Sequence, residues 1–211
     1  MSDFKHVKLV EHPVIARDLT ILRNKHTSIE NFRSAIRRIG NILAYHALME
    51  LPLREFDIET PIRQTSGYDI DQEVIVVPIL RAGLALTDAL INFIPDAKVG
   101  HLGMYRDEDT HEPVDYYSNI PPGVKQGMVL VVDPMLATGG SANDALNFLK
   151  KQGAQHLRFI SLISAPEGLR RLEEEHPDVP VITAGIDEKL NDDAFIVPGL
   201  GDAGDRYFGT T

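Results

Sequence analysis

Chemistry in this 211-residue chain concentrates in one stretch, VVDPMLATGGSA, residues 131–142. An apolar run ends in Asp133-Pro134, passes Met135 and Leu136, and then gives Ala137, Thr138, Gly139, Gly140 and Ser141 before a helical pattern. Glycines let backbone N–H groups approach a ligand closely. The hydroxyls of Thr138 and Ser141 add donors, and the helix that follows turns its positive end to the same place. Such a segment can cradle a phosphate. A carboxylate at Asp133 can accept hydrogen bonds from paired hydroxyls, and phosphate beside hydroxyls is what a ribose 5-phosphate presents. The Gly-Lys-Ser/Thr ending of a Walker A loop is missing. An ordinary strand-to-helix turn with a locally satisfied acid is the plain alternative, and the co-occurrence of strand, acid, Thr-Gly-Gly-Ser and helix favours the phosphate reading.

Two arginines stand at comparable places. Arg81 follows an apolar run directly, in Leu80-Arg81-Ala82-Gly83, and Arg106 follows another. The guanidinium fork matches phosphate oxygens. One arginine at a strand end is usually just solvated; two at the same end of one sheet, beside a phosphate loop, indicate a polyanionic ligand. The tail FIVPGLGDAGDRYFGT, residues 195–210, holds a formal G-x-G-x-x-G at 199–204. It is not a dinucleotide fingerprint, which must open a helix and be followed by an acid about 20 residues on. Dense glycine with Asp202 and Asp205 suggests exposed backbone reading a flat ligand. No His-Glu-x-x-His spacing and no Gly-x-Ser-x-Gly elbow occurs, so zinc and serine hydrolase chemistry are unsupported.

The elements that must position these residues are legible from periodicity. Thr27-Ser28-Ile29-Glu30 has the form of a capping box with Thr27 as N-cap, and apolar spacing predicts an amphipathic helix over 28–50. Residues 1–26 carry no clear pattern. Residues 57–64 read as an edge strand because Pro61 removes a ladder donor. From residue 73 the chain alternates: strands at 74–80, 99–105, 129–132, 157–163 and 179–184, with helices at 84–93, from Ala142 to a stop at Gly153, and from Pro166 to before Pro177. Continuous Val/Ile runs separated by helices predict an α/β fold, a mostly parallel twisted sheet with helices on both faces. Residues 106–123 are long and polar, and read as a flexible flap whose resting shape is equally well a surface hairpin. The chain reads as one domain, 1–211: an N-terminal helical and edge-strand region to about 72, a core sheet at about 73–185, and a C-terminal hood segment at about 186–211.

Bulk composition narrows the function classes. Hydrophobic residues at 43% and charged residues at 25% are ordinary for a globular chain. A net charge of -10 disfavours nucleic acid as a partner. Zero cysteines exclude disulfides and thiolate zinc sites, and fit a cytoplasmic setting. No run approaches the roughly 18 apolar residues of a membrane span, so no membrane is expected.

VVDPMLATGGSA resembles the phosphoribosyl pyrophosphate (PRPP) loop of type I phosphoribosyltransferases. In most of that superfamily two acids end the strand; Pro134 in the second place resembles the uracil phosphoribosyltransferase branch. Residues 196–206, with Leu80-Arg81-Ala82-Gly83, Met104-Tyr105-Arg106 and Glu112-Pro113-Val114, fit the same family. The resemblance implies transfer of a 5-phosphoribosyl group from PRPP to N1 of uracil, giving UMP and pyrophosphate. It implies PRPP contacts from Arg81, Arg106, Asp202 and residues 133–141 (Asp133, Pro134, Met135, Leu136, Ala137, Thr138, Gly139, Gly140 and Ser141). Uracil contacts fall to Ile196, Gly201, Asp202 and Ala203, and catalytic roles to Arg106 and Asp202. Magnesium is expected to arrive on PRPP, with its protein ligands unassigned. The family further implies a homodimer or homotetramer and, in some members, a GTP effector. The chain departs from the family pattern at Arg17-Asp18, at His46 and at Asn119-Ile120-Pro121.

Overall fold

The computed structural model describes residues 4–106 and 113–210, of which 104–106 and 113–116 are described by their backbone alone. Strand β1 (Val7–Leu9) leads to helix α1 (Pro13–Arg23). His12 caps α1, its Nδ1 accepting from Val14 N at 3.1 Å, and Pro13 takes the first helical position. These two elements fill the N-terminal stretch for which the sequence carried no pattern.

Helix α2 (Ile29–Leu48) begins one residue later than the capping box implies. Ser28, not Thr27, is the N-cap and accepts from Asn31 N at 3.3 Å. The Thr27 hydroxyl instead donates to Ile21 O at 2.6 Å, tying the α1–α2 connection. The departure at Arg17-Asp18 acquires a structural reason here. Asp18 is fully buried between α1 and α2, and accepts from Arg38 Nε at 2.7 Å and from Arg17 Nε at 2.9 Å. Burial pushes its carboxyl up and the two guanidiniums more than offset this, so it stays below the usual carboxylate range.

The edge strand expected at 57–64 is replaced by a hairpin, β2 (Leu53–Glu59) and β3 (Gln64–Ile70). Pro61 lies in its turn, where Thr60 Oγ1 accepts from Ile62 N and Arg63 N at 3.2 and 3.1 Å. Proline and a hydroxyl suit a turn better than a strand interior.

The remaining elements follow the alternation: β4 (Val74–Leu80), α3 (Leu84–Phe93), β5 (Lys98–Val99), β6 (His101–Arg106), β7 (Pro113–Asn119), β8 (Met128–Val132), β9 (Met135–Leu136), α4 (Gly140–Lys151), β10 (His156–Ser161), β11 (Ile163–Ser164), α5 (Pro166–Glu175), β12 (Val181–Thr183), β13 (Lys189–Leu190), β14 (Ile196–Val197) and α6 (Ala203–Phe208). The main sheet has the order β1-β12-β10-β8-β4-β6-β7, with β5 also on β4. All its pairings are parallel except β6–β7. The expected strand at 99–105 is thus two short pieces, and part of the flap segment pairs back on the sheet as β7; residues 107–112 lie outside the described residues.

Alternate residues of the buried strands point to opposite faces. Val74, Val76, Leu130, Val132, Ile160 and Ile182 pack against α1, α2 and α3 on one side. Ile75, Val77, Val129, Val131, Phe159 and Val181 pack against α4 and α5 on the other. Among the described residues no helix is long and apolar enough to cross a membrane.

Candidate active site

In a parallel sheet the loops after neighbouring strands emerge at one edge, and ligands of open α/β sheets bind there. β8, β4 and β6 are adjacent, so the loops carrying residues 133–139, Arg81 and the end of β6 at Arg106 share that edge. Arg106 is placed by its backbone; its side chain lies outside the described residues.

The 133–141 loop is stitched to the structure along its length. Pro134 O accepts from Leu162 N and Ile163 N at 3.0 and 3.2 Å, β9 pairs with β11, and Ala165 N donates to Leu136 O at 2.8 Å. A Cβ on Gly168 would sit 2.5 Å from Ala137 O, so only glycine lets α5 press this closely on the loop. Gly139, at φ +76°, is the N-cap of α4 and brings no capping side chain, while Thr138 Oγ1 accepts from Gly140 N at 3.3 Å. Orphan N–H groups of the first turn therefore face a cavity of about 80 Å³, lined by Asp133 and residues 135–142.

Asp133 sits at the rim. Its backbone N–H donates to Ile160 O at 3.2 Å, and among the described residues its carboxylate receives one long bond, 3.4 Å, from Met135 N to Oδ1. Burial pushes its carboxyl up to about 7; the Met135 bond opposes this, and the negative charge of Asp202 adds to it. A carboxylate poor in donors is ready to accept them from a ligand.

The Arg81 loop is seated against the same strand. A Cβ on Gly83 would meet Val132 O at 2.4 Å, so glycine alone permits this approach beside Asp133. The Arg81 guanidinium is 3.7 Å from Asp205 Oδ1 and the side chain is otherwise largely exposed.

The C-terminal segment folds back over these loops. Gly204 lies against Ala82 and the Asp202 carboxylate. Asp202 is the N-cap of α6, accepting from Asp205 N at 2.8 Å. Gly201 and Asp202 are exposed, whereas Ile196 and Ala203 are buried in the main core. Of the four residues expected at the flat ligand, two therefore have their side chains committed to packing, and only their backbone is left to contact a ligand. Gly199 and Gly201 both have positive φ, and Val197–Pro198 is cis.

What holds this segment was not legible as function in the sequence. Arg23 Nη1 donates to Asp187 Oδ2 and to Gly199 O, both at 2.8 Å, and Gly199 N donates to the same Asp187 oxygen at 2.8 Å. Arg206 donates to Leu22 O, to Leu200 O and, at 2.7 Å, to Asn24 O, with its guanidinium 4.4 Å over the Phe32 ring. The one hint was a lone arginine in an acidic, glycine-rich tail.

A family model described as uracil phosphoribosyltransferase matches residues 9–210. The chain belongs to the uracil phosphoribosyltransferase family. A uracil phosphoribosyltransferase of Salinibacter ruber is 55% identical over 98% of both chains. One from Streptococcus mutans is 52% identical over 96% of this chain and 98% of its own. Among solved structures, the AQ2163 protein from Aquifex aeolicus superposes with a TM-score of 0.90 at 38% identity, covering 97% of this chain and 99% of that one. An adenine phosphoribosyltransferase of Trypanosoma brucei shares the fold, with a TM-score of 0.60 at 11% identity over 92% of this chain and 90% of its own. The α/β fold with a mostly parallel sheet expected from the sequence is the fold of these phosphoribosyltransferase structures.

Proposed function

We propose that this protein transfers the 5-phosphoribosyl group of PRPP to N1 of uracil, forming UMP and releasing pyrophosphate. The observation that carries the reading is the meeting, at one sheet edge, of the N–H-lined cradle at 133–141, the Arg81 loop and the glycine-rich hood around Asp202. The cradle N–H groups and the Thr138 and Ser141 hydroxyls would hold the 5-phosphate. Asp133 would accept from the ribose hydroxyls. In the reaction the C1′–O bond breaks with its electron pair leaving on pyrophosphate, the N1–C1′ bond forms, and the N1 proton is released. The central task is to stabilise the departing charge, which falls to Arg81 and Arg106, with Asp202 between the PRPP and uracil sites.

Magnesium fits this arrangement. Asp133 and Asp202 are hard oxygen donors of the kind it takes, and when bound with PRPP it supplies neutralisation of the pyrophosphate charge. Uracil offers two carbonyl oxygens and N3–H along one edge, a pattern that the backbone of Ile196, Gly201 and Ala203 can match. Cytosine reverses a donor and an acceptor, and each buried mismatch costs about 1–3 kcal/mol, so uracil is the selected base.

The protein also reads as a homo-oligomer in a cytoplasmic salvage role, with all 211 residues forming one catalytic unit and GTP as an effector. The support for self-association is the β2–β3 hairpin, whose Leu53, Phe56, Ile62 and Tyr68 are all exposed. An isolated two-stranded hairpin is marginal in water, and a second copy would cover it.

The test is direct. Incubated with PRPP, magnesium and each nucleobase in turn, the protein should make UMP from uracil, with GTP addition reporting any effector response. Absence of UMP, or equal product from another base, refutes the proposal.

A further inference from the structure

One buried ionisable group has no part in the reaction so far. His176 is 2% exposed and closes α5 as its C-cap. Its Nδ1 lies 3.0 Å from Lys150 Nζ, and its Nε2 lies 2.8 Å from Asn143 Oδ1. Chemistry fixes the proton. An ammonium can only donate, so Nδ1 is the acceptor, the hydrogen sits on Nε2, and Nε2 donates to Asn143. Burial first, and the Lys150 charge second, hold His176 below the usual histidine range, so this neutral tautomer is the form present near pH 7; the Asn143 bond, Asp178 and Glu175 act in the opposite direction without reversing it. Asp178 Oδ1 takes the Lys150 ammonium at 2.6 Å from the other side.

Asn143 is not an arbitrary partner. It lies in the first turn of α4, its own N–H donating to Gly139 O at 2.8 Å. Its side-chain oxygen also accepts from Asn147 Nδ2 at 3.2 Å, one turn further on. Thus α5 grips the phosphate cradle at two points. Near its start, Gly168 rests against Ala137 and Gly139. At its end, the His176 imidazole holds the first turn of α4. An anion site made of backbone N–H groups is only as well aimed as the helix that carries them.

We propose that His176 is a positioning residue for the phosphate-binding end of α4, acting through Asn143 to fix the aim of the Gly139–Gly140–Ser141 amides. The inference rests on the reading of that cradle as the PRPP site. His176 touches no substrate. A role confined to holding the fold would affect both substrates together, whereas aiming the cradle affects PRPP and leaves the hood untouched.

Calorimetric titration of the intact protein with magnesium-PRPP is therefore paired with the Michaelis constant for uracil. His176→Leu removes the donor and should weaken PRPP binding about three- to tenfold, the worth of a typical buried hydrogen bond, with the uracil constant unchanged. His176→Gln places an amide N–H near the position of Nε2 and should restore binding to within about twofold, whereas His176→Asn, whose shorter amide mimics Nδ1, should not. Asn143→Ala, which deletes the acceptor, repeats the test from the other side if the leucine variant fails to fold. PRPP affinity at the wild-type level in both His176→Leu and Asn143→Ala, or equal losses for PRPP and uracil, overturns the positioning role. No PRPP binding by the wild-type protein overturns the cradle assignment itself, a result separable from the first.

Discussion

Asp133→Asn should make the unliganded protein more stable while impairing its use of PRPP. In the folded chain the Asp133 carboxyl titrates at about 7, against 3.8 for an unperturbed aspartate. At about 1.4 kcal/mol per pH unit, ionising it in place costs about 4 kcal/mol. Asp133 is partly exposed at the cleft rim, and water there screens the cost, leaving about 2 kcal/mol. The sign follows from proton binding. Between pH 3.8 and about 7 the folded state keeps a proton that the unfolded state has released, so wild-type stability falls as pH rises through that window. Above it the cost is fully present. An asparagine carries no such cost. The stability gap between variant and wild type should thus be near zero at about pH 4 and grow to about 2 kcal/mol at about pH 8. For a chain of this length that is about 4–8 °C in melting temperature. Thermal or urea unfolding at a series of pH values checks it. The same substitution removes a charged acceptor for ribose hydroxyls, worth about 1.5–3 kcal/mol, so PRPP affinity should drop at least about tenfold. A stability gap independent of pH, or PRPP affinity equal to wild type, would refute the assignment of Asp133 as a strained, ligand-awaiting carboxylate.

Two other outcomes are expected. Arg206→Ala strips three backbone carbonyls of a donor and exposes Phe32; it should cost about 2–3 kcal/mol and raise the uracil Michaelis constant more than the PRPP one, as steady-state kinetics with each substrate varied will report. Ile62→Asp with Tyr68→Asp, placed on residues 90% and 66% exposed, should leave the fold intact and shift the mass measured by sedimentation velocity toward the monomer, and a monomeric wild type would remove the premise.

The parts of the site that are local in the chain were readable from the chain. Strand β4 and helix α3 are found at the expected residues because a β-branched run and a helical apolar repeat each specify their own geometry. Pro166 marked the start of α5 and Gly153, with φ +94°, the end of α4. The cradle was legible for the same reason: its glycines, its hydroxyls and the helix behind them are consecutive. The N-cap of α2 moved by one residue because Ser28 and Thr27 compete for that place, and a carbonyl on α1 recruited the threonine.

What depends on distant residues was not. The short β1 has no pattern of its own and exists because β12, some 170 residues away, offers a parallel edge. A hairpin exposed on both faces leaves no alternation of apolar and polar residues to read, and so 57–64 looked like one strand. The commitments of Arg23, Arg206 and His176 are fixed across 164, 184 and 33 residues. Asp133 shows the division most clearly. Sequence alone placed an acid at the end of a buried strand. Only the tertiary structure withdrew most of it from water and brought Asp202 near it, and those two effects, neither of which a local window contains, move its proton to the middle of the physiological range.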